Sequence, residues 1–291
     1  MKKPLIGFIG QGWLGKNYAD DFERRGFPTV RYGLEPEYRD NKEKIAACDI
    51  VFIAVPTPTT SDGFDASAVR SVLPLVGKGK IAVVRSTLLP GTTDALHTKF
   101  PDRLVLCVPE FLREAHAARD AAHPERNLVG IPEETAAYRK AAESVLAVLP
   151  KAPYAKVMPA RAAELAKYAG NVFLALKVVF ANVLYDLSGA LGVPYDILKE
   201  TLSADPRIGA SHLSVAHASG HTDKAGRGAG GHCFIKDLEA FRRLYKDAVK
   251  DGKGDDFLKA FVLKNNQLLK DSSKDLDLLT GVYGDTDDLL S

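Results

Sequence analysis

An apolar run, Leu5-Ile6-Gly7-Phe8-Ile9, passes directly into Gly10-Gln11-Gly12-Trp13-Leu14-Gly15, where a helical pattern opens. Gly-x-Gly-x-x-Gly in that context marks a βαβ unit built to hold a dinucleotide pyrophosphate. Gly10 allows the tight turn, Gly12 lets the pyrophosphate approach the backbone, and Gly15 lets the helix pack on the strand. Trp13 and Leu14 complete the cofactor turn, at a helix N-terminus that faces the phosphates.

The rest of the first half keeps the same alternation. Strands are expected near Leu5–Ile9, Thr29–Tyr32, Ile50–Val55, Ile81–Arg85 and Leu104–Val108, with another at Asn127–Gly130. Helical patterns lie at Trp13–Arg24, Ala66–Leu73, Thr92–Lys99 and Glu133–Val148. Continuous apolar strands between helices predict an α/β fold, a Rossmann-like doubly wound parallel sheet covered on both faces. After Pro150–Pro153 the character changes. From Pro159 to about Leu191 the chain has no proline and is apolar around most of its girth, which predicts one long helix buried on several sides, within a domain or in a homodimer. Further helices are expected at Pro194–Leu202 and Asp237–Lys250, separated by a Gly/His/Ser-rich loop, Ala210–His232. The expected plan is a cofactor domain over 1–152, an all-helical domain over 153–270 and a polar, extended tail over 271–291.

Bulk composition narrows the partners. With 39 basic and 37 acidic residues the net charge is +2, too small a field to argue for nucleic acid or a membrane surface. The apolar run after Met1-Lys2-Lys3 is short and broken by glycines, unlike a signal peptide, and no run approaches the ~18 apolar residues of a membrane span. Cys48, Cys107 and Cys233 are far apart and in no metal-ligand spacing, so a reduced, cytoplasmic protein without a metal is expected. His212, His217, His221 and Arg227 crowd the glycine-rich loop, yet their spacing fits no metal template.

The acid that should accept the ribose hydroxyl bond falls near Glu35, about 20 residues after the fingerprint. The strand ends at Gly33, however, so Arg31 or Arg39 could instead receive a 2′-phosphate. NAD is favoured and NADP stays open. Three strands end unusually: Val55-Pro56-Thr57, Arg85-Ser86-Thr87 and Val108-Pro109-Glu110-Phe111-Leu112-Arg113-Glu114. In a doubly wound sheet such ends line the ligand crevice, which gathers Val55, Pro56, Thr57, Ser86 and Thr87 towards the cofactor and Glu110 and Glu114 towards a substrate. On the long helix, Glu164, Lys167 and Asn171 are spaced to share one face. Cys233 lies at the end of Gly226-Arg-Gly-Ala-Gly230-Gly231-His, next to Lys236 and just before a helix. A nearby cation and a helix N-terminus both favour a thiolate. Cys48 and Cys107, among apolar neighbours, read as inert core residues.

Taken in order, GFIGQGWLG, VPTP, STLLPGTT, PEFLREA, AELAKYAGNVFLALKVVFAN, DPRIG and GRGAGGHCFIKD resemble the UDP-glucose/GDP-mannose dehydrogenase family. The resemblance implies NAD-dependent oxidation of a nucleotide sugar's primary alcohol to a carboxylate, with Cys233 as nucleophile. It implies that Lys167 and Asn171 stabilise an oxyanion, Asp237 and Thr87 position water, Glu110 acts as base and Glu114 supports it. Phe111, Leu112 and Arg113 would meet substrate through backbone groups, Gly230 and Gly231 would lie along the sugar, Arg207 would contact phosphate and Lys236 the cofactor. Departures from the family are Ile235 where proline is usual, Ala115 where glycine is usual, and a short Tyr32–Ile50 connection. The third, C-terminal α/β domain of roughly 100 residues is also missing, which leaves the nucleotide part of the substrate in question. Two rivals are a β-hydroxyacid dehydrogenase making one two-electron oxidation, which needs no thiol, and a non-catalytic NAD-binding regulator.

Overall fold

The computed structural model describes residues 3–113 and 116–284. The chain divides into two compact units, one of residues 1–57 and 65–167, the other of residues 58–64 and 168–291.

In the first unit a mixed sheet is built from β1 (Ile6–Ile9), β2 (Thr29–Tyr32), β3 (Ile50–Ile53), β6 (Ile81–Val84), β7 (Leu104–Cys107), β8 (Arg126–Ile131) and β9 (Tyr154–Pro159). Its order is β2-β1-β3-β6-β7-β8-β9. All neighbours run parallel except β7 and β8, which meet antiparallel at Cys107↔Gly130. The expected wholly parallel sheet is thus mixed at one seam. Gly130 is needed there, since a Cβ would strike Cys107 Sγ. Helices α1 (Trp13–Arg24), α4 (Thr92–Lys99), α5 (Ala117–Ala122) and α6 (Ala136–Val148) belong to this unit, with short helices α2 (Pro36–Arg39) and α3 (Ser67–Val72). Phe8, Phe22 and Phe52 stack at centroid distances of 5.2–5.4 Å and knit β1 and β3 to α1. Cys48 and Cys107 are buried in this unit, and burial pushes the Cys48 thiol up to about 11.

β9 has no counterpart in the sequence reading. Tyr154, Ala155 and Lys156 are exposed, so this edge strand carries no apolar run to betray it. It moves the end of the sheet unit past the expected 152, and the division falls inside α7 (Ala160–Ala190), between Lys167 and Tyr168.

The second unit takes α7 from Tyr168 onward, α8 (Tyr195–Ala204), α9 (Gly231–Val249), α10 (Gly252–Asp271) and α11 (Leu276–Tyr283). It also holds two-residue hairpin strands, β4 (Thr59–Thr60) with β5 (Gly63–Phe64), and β10 (Ala216–His217) with β11 (Gly226–Arg227). Its core joins Ala175, Val178 and Val179 of α7 to Leu238 of α9 and Phe261, Val262 and Leu268 of α10. The expected polar tail is corrected here. Residues 272–284 fold back, α11 buries Leu279 and Val282, and Lys274 is fully buried. Leucines spaced along a polar segment were enough to make a helix once a neighbouring apolar face was available. α7 is long and apolar enough to cross a membrane by length and composition, and only a third of that stretch is buried.

Candidate active site

At the tip of β1 the chain turns through Gly10 (φ +89°), a conformation open to glycine, and a Cβ on Gly10 or Gly15 would strike backbone oxygens of Ala54 or Gly10. Gly12 caps α1 without a side-chain bond, and a Cβ built on it meets nothing within 4 Å. Open space thus lies over the uncapped amides of α1, the fit a pyrophosphate needs. Trp13 is half-exposed beside it. The strand order reverses at β1, between β2 and β3, and the glycine turn lies at that switch point.

Glu35 caps α2 with its carboxylate folded against Gly33 and beside Gln11 of the glycine turn. The acid, two residues past Gly33, thus lies near the glycine turn. Arg31 is gripped by Asp20 and Glu23, at 2.6 Å each, and Arg39 donates to the Leu34 carbonyl. Both arginines named as phosphate receptors are engaged, which favours the ribose hydroxyl over a 2′-phosphate. At the other strand tips Ser86 Oγ donates to the Val55 carbonyl and accepts from its amide, and Thr57 Oγ1 donates to the Thr87 carbonyl. These hydroxyls bind β3 to β6. Pro56 is exposed and Thr87 is buried.

Three residues past β7, Glu110 Oε1 accepts from Lys167 Nζ at 2.8 Å, and Oε2 accepts from the Leu112 amide at 2.7 Å. Both side chains are buried. Burial would raise the Glu110 carboxyl, but the Lys167 ammonium, its hydrogen bond, the Leu112 amide and Arg85 together hold it below the usual range. Glu110 is therefore a firmly ionised, weak base. Arg85, just past the end of β6, is buried with its guanidinium 3.8 Å over the Tyr18 ring. The Phe111 ring carries the Arg126 guanidinium at 3.8 Å. The Leu112 N–H donates to Glu110 and the Arg113 N–H to Asp120, so their amides are already engaged. Glu114 lies outside the described residues. Glu164 accepts from the amides of Gly91 and Thr93 and the Thr93 hydroxyl at α4's N-terminus.

In the helical unit Asn171 Nδ2 donates to Asp237 Oδ2 at 2.6 Å, and Lys236 Nζ lies 2.5 Å from Oδ1. Asp237 is buried. Cys233 is exposed and sits inside the first turn of α9, not before it. Cys233 and Asp237 are four residues apart and share a helix face. The two groups expected to favour a thiolate have other partners. Lys236 is offset by Asp237, and the Asp275 carboxylate accepts from Gly231 N–H at the start of α9. Arg207 is exposed and forked onto Asp205, so a phosphate would have to compete for it. His221 bridges His232 (3.1 Å) and Asp277 (2.7 Å), while His217 approaches Lys274. Among the described residues no three metal-ligating side chains converge.

Residues 35–148 match the NAD binding domain of the UDP-glucose/GDP-mannose dehydrogenase family, and residues 161–267 its central domain. UDP-glucose 6-dehydrogenase YwqF of Bacillus subtilis is 30% identical over 284 residues, 93% of this chain and 60% of that protein. A UDP-glucose 6-dehydrogenase of Rhizobium meliloti is 33% identical over 72% of this chain and 48% of its own length. The chain thus spans roughly half to three-fifths of these curated relatives. The solved UDP-glucose dehydrogenase of Pyrobaculum islandicum superposes with a TM-score of 0.76 at 29% identity, over 92% of this chain and 71% of that one. The chain belongs to the UDP-glucose/GDP-mannose dehydrogenase family, with the NAD-binding domain matched within its sheet-bearing part and the central domain from residue 161 onward.

Proposed function

We propose that the protein oxidises the primary alcohol of a UDP-glucose-like nucleotide sugar to the carboxylate, with Cys233 as nucleophile. The observation that carries this is Cys233, exposed on the first turn of α9 and sharing a face with Asp237, which Asn171 holds. When bound, the nicotinamide supplies the hydride acceptor, once per oxidation. Loss of a hydride and a proton from the alcohol leaves an aldehyde. Cys233 Sγ adds to its carbon as a thiohemiacetal; loss of a second hydride and proton leaves a thioester, and water releases the carboxylate and restores the thiol. Lys167 and Asn171 donate to the oxygen that gains charge. Asp237 and Thr87 position the water, and Glu110, kept ionised by Lys167, accepts its proton. Such a thiol must stay reduced, in keeping with a cytoplasmic setting.

Two NADH formed per UDP-glucose consumed, and none of the acid from Cys233→Ser, is the expected result. One NADH per substrate points to a β-hydroxyacid-type single oxidation. No NADH and no thermal shift with UDP-glucose overturns the substrate. A homodimer is part of the same proposal, because α7 exposes Phe173, Phe180 and Leu187 at seven-residue spacing. Such a row of apolar side chains on one rod is what an isologous interface buries.

A further inference from the structure

Four of the six residues from Gly226 to Gly231 are glycines, with Gly228 and Gly231 at φ +86° and +81°. A segment this rich in glycine has many unfolded conformers and nothing of its own to select one. It runs into the first turn of α9, where Cys233 lies, so its conformation bears on how that turn begins.

The structure shows what selects the conformation. Lys274 is fully buried, and its ammonium donates to the carbonyls of Gly228 (2.9 Å) and Gly226 (3.3 Å), with His217 Nε2 at 3.3 Å. Asp275 Oδ2 accepts from Gly231 N–H at 2.7 Å, and Oδ1 accepts from Ser219 Oγ at 3.0 Å. Ser272 Oγ accepts from the Arg227 amide. Asn265 closes the set by exchanging two bonds with Ala229. A Cβ on Gly230 would strike Asp275, so the glycine and the clamp are matched.

We propose that Lys274, with Asp275, is a positioning residue for Cys233: the two fix the glycine loop and the start of α9, whose first turn holds the thiol. Its part in catalysis rests on the nucleophile role given to Cys233 above; its grip on the loop does not. Burial lowers the Lys274 ammonium to about 8, with Asp275 opposing that shift, so it remains charged at neutral pH. A buried charge is kept only where acceptors surround it, and here two of them are loop carbonyls.

The test uses the full chain and needs no substrate. Lys274→Met and Asp275→Asn are compared with wild type for amide exchange of residues 226–231, and for alkylation of Cys233 by iodoacetamide between pH 6 and 10. Loop exchange about tenfold faster, with Phe261–Leu269 of α10 unchanged, is expected. The alkylation rate of Cys233 should change by at least about threefold and its pH profile should move. A folded Lys274→Met with wild-type exchange and alkylation overturns the proposal, as does faster exchange spread evenly over α10 and α11. Should Lys274→Met fail to fold, Asp275→Asn, of nearly the same size, decides by the same criteria. If both variants shift as expected while the wild type forms no NADH from UDP-glucose, the clamp stands and the substrate assignment falls.

Discussion

Lys167 and Glu110 form an ion pair 2.8 Å long with both side chains out of water, across 57 residues of sequence. Removing one partner strands the other charge. Lys167→Met should therefore cost roughly 3–5 kcal/mol of stability, and Lys167→Met/Glu110→Gln distinctly less. Urea unfolding of the single and double variants measures this. Equal losses would mean that the pair is screened by water.

The glycine turn makes a sharper claim. Gly15→Ala places a methyl group against the Gly10 carbonyl. Overpacking of that kind should cost about 1–3 kcal/mol and abolish the thermal stabilisation that NAD gives the wild type. Scanning fluorimetry with and without NAD reads both effects.

Glu35 is the acid beside the turn, and its loss should fall on NAD rather than NADP. Glu35→Ala should weaken NAD binding by roughly tenfold or more, the worth of a hydrogen bond to a charged group, and leave NADP binding nearly unchanged. Titration of protein fluorescence with each dinucleotide distinguishes them. An equal loss for both would remove Glu35 from the ribose.

His217 links pH to the stability of the helical unit. Burial chiefly, with Lys274 beside it, lowers its imidazole from 6.5 to about 4. The unfolded chain then takes up a proton below 6.5 that the folded chain refuses. Stability present above 6.5 should decline as the pH falls towards about 4. His217→Phe should flatten that part of the acid-unfolding curve. An unaltered curve would mean that the imidazole titrates normally.

Phe180→Asp puts a charge into the exposed apolar row of α7, where Phe180 is 56% exposed. Sedimentation should show wild type as a dimer and the variant as a single chain, with unchanged helicity. Monomeric wild type would reject the interface.

What sequence determined was local. The glycine turn between a strand and a helix, the proline-free apolar stretch that forms α7, and the apolar setting of Cys48 and Cys107 depend on neighbours a few residues away, and the structure agrees with each. Tertiary structure decided everything that depends on which distant groups come together. An exposed edge such as β9 has no apolar signature. Lys274 lies in a segment as polar as any solvated tail, and the carbonyls of Gly226 and Gly228, more than 40 residues earlier, help make burial of its charge tolerable. The resemblance likewise implies a base at Glu110, but the low titration imposed by Lys167 and the Leu112 amide is visible only in the fold. The energy of a charge is set by its desolvation and its partners, and those are properties of the folded chain.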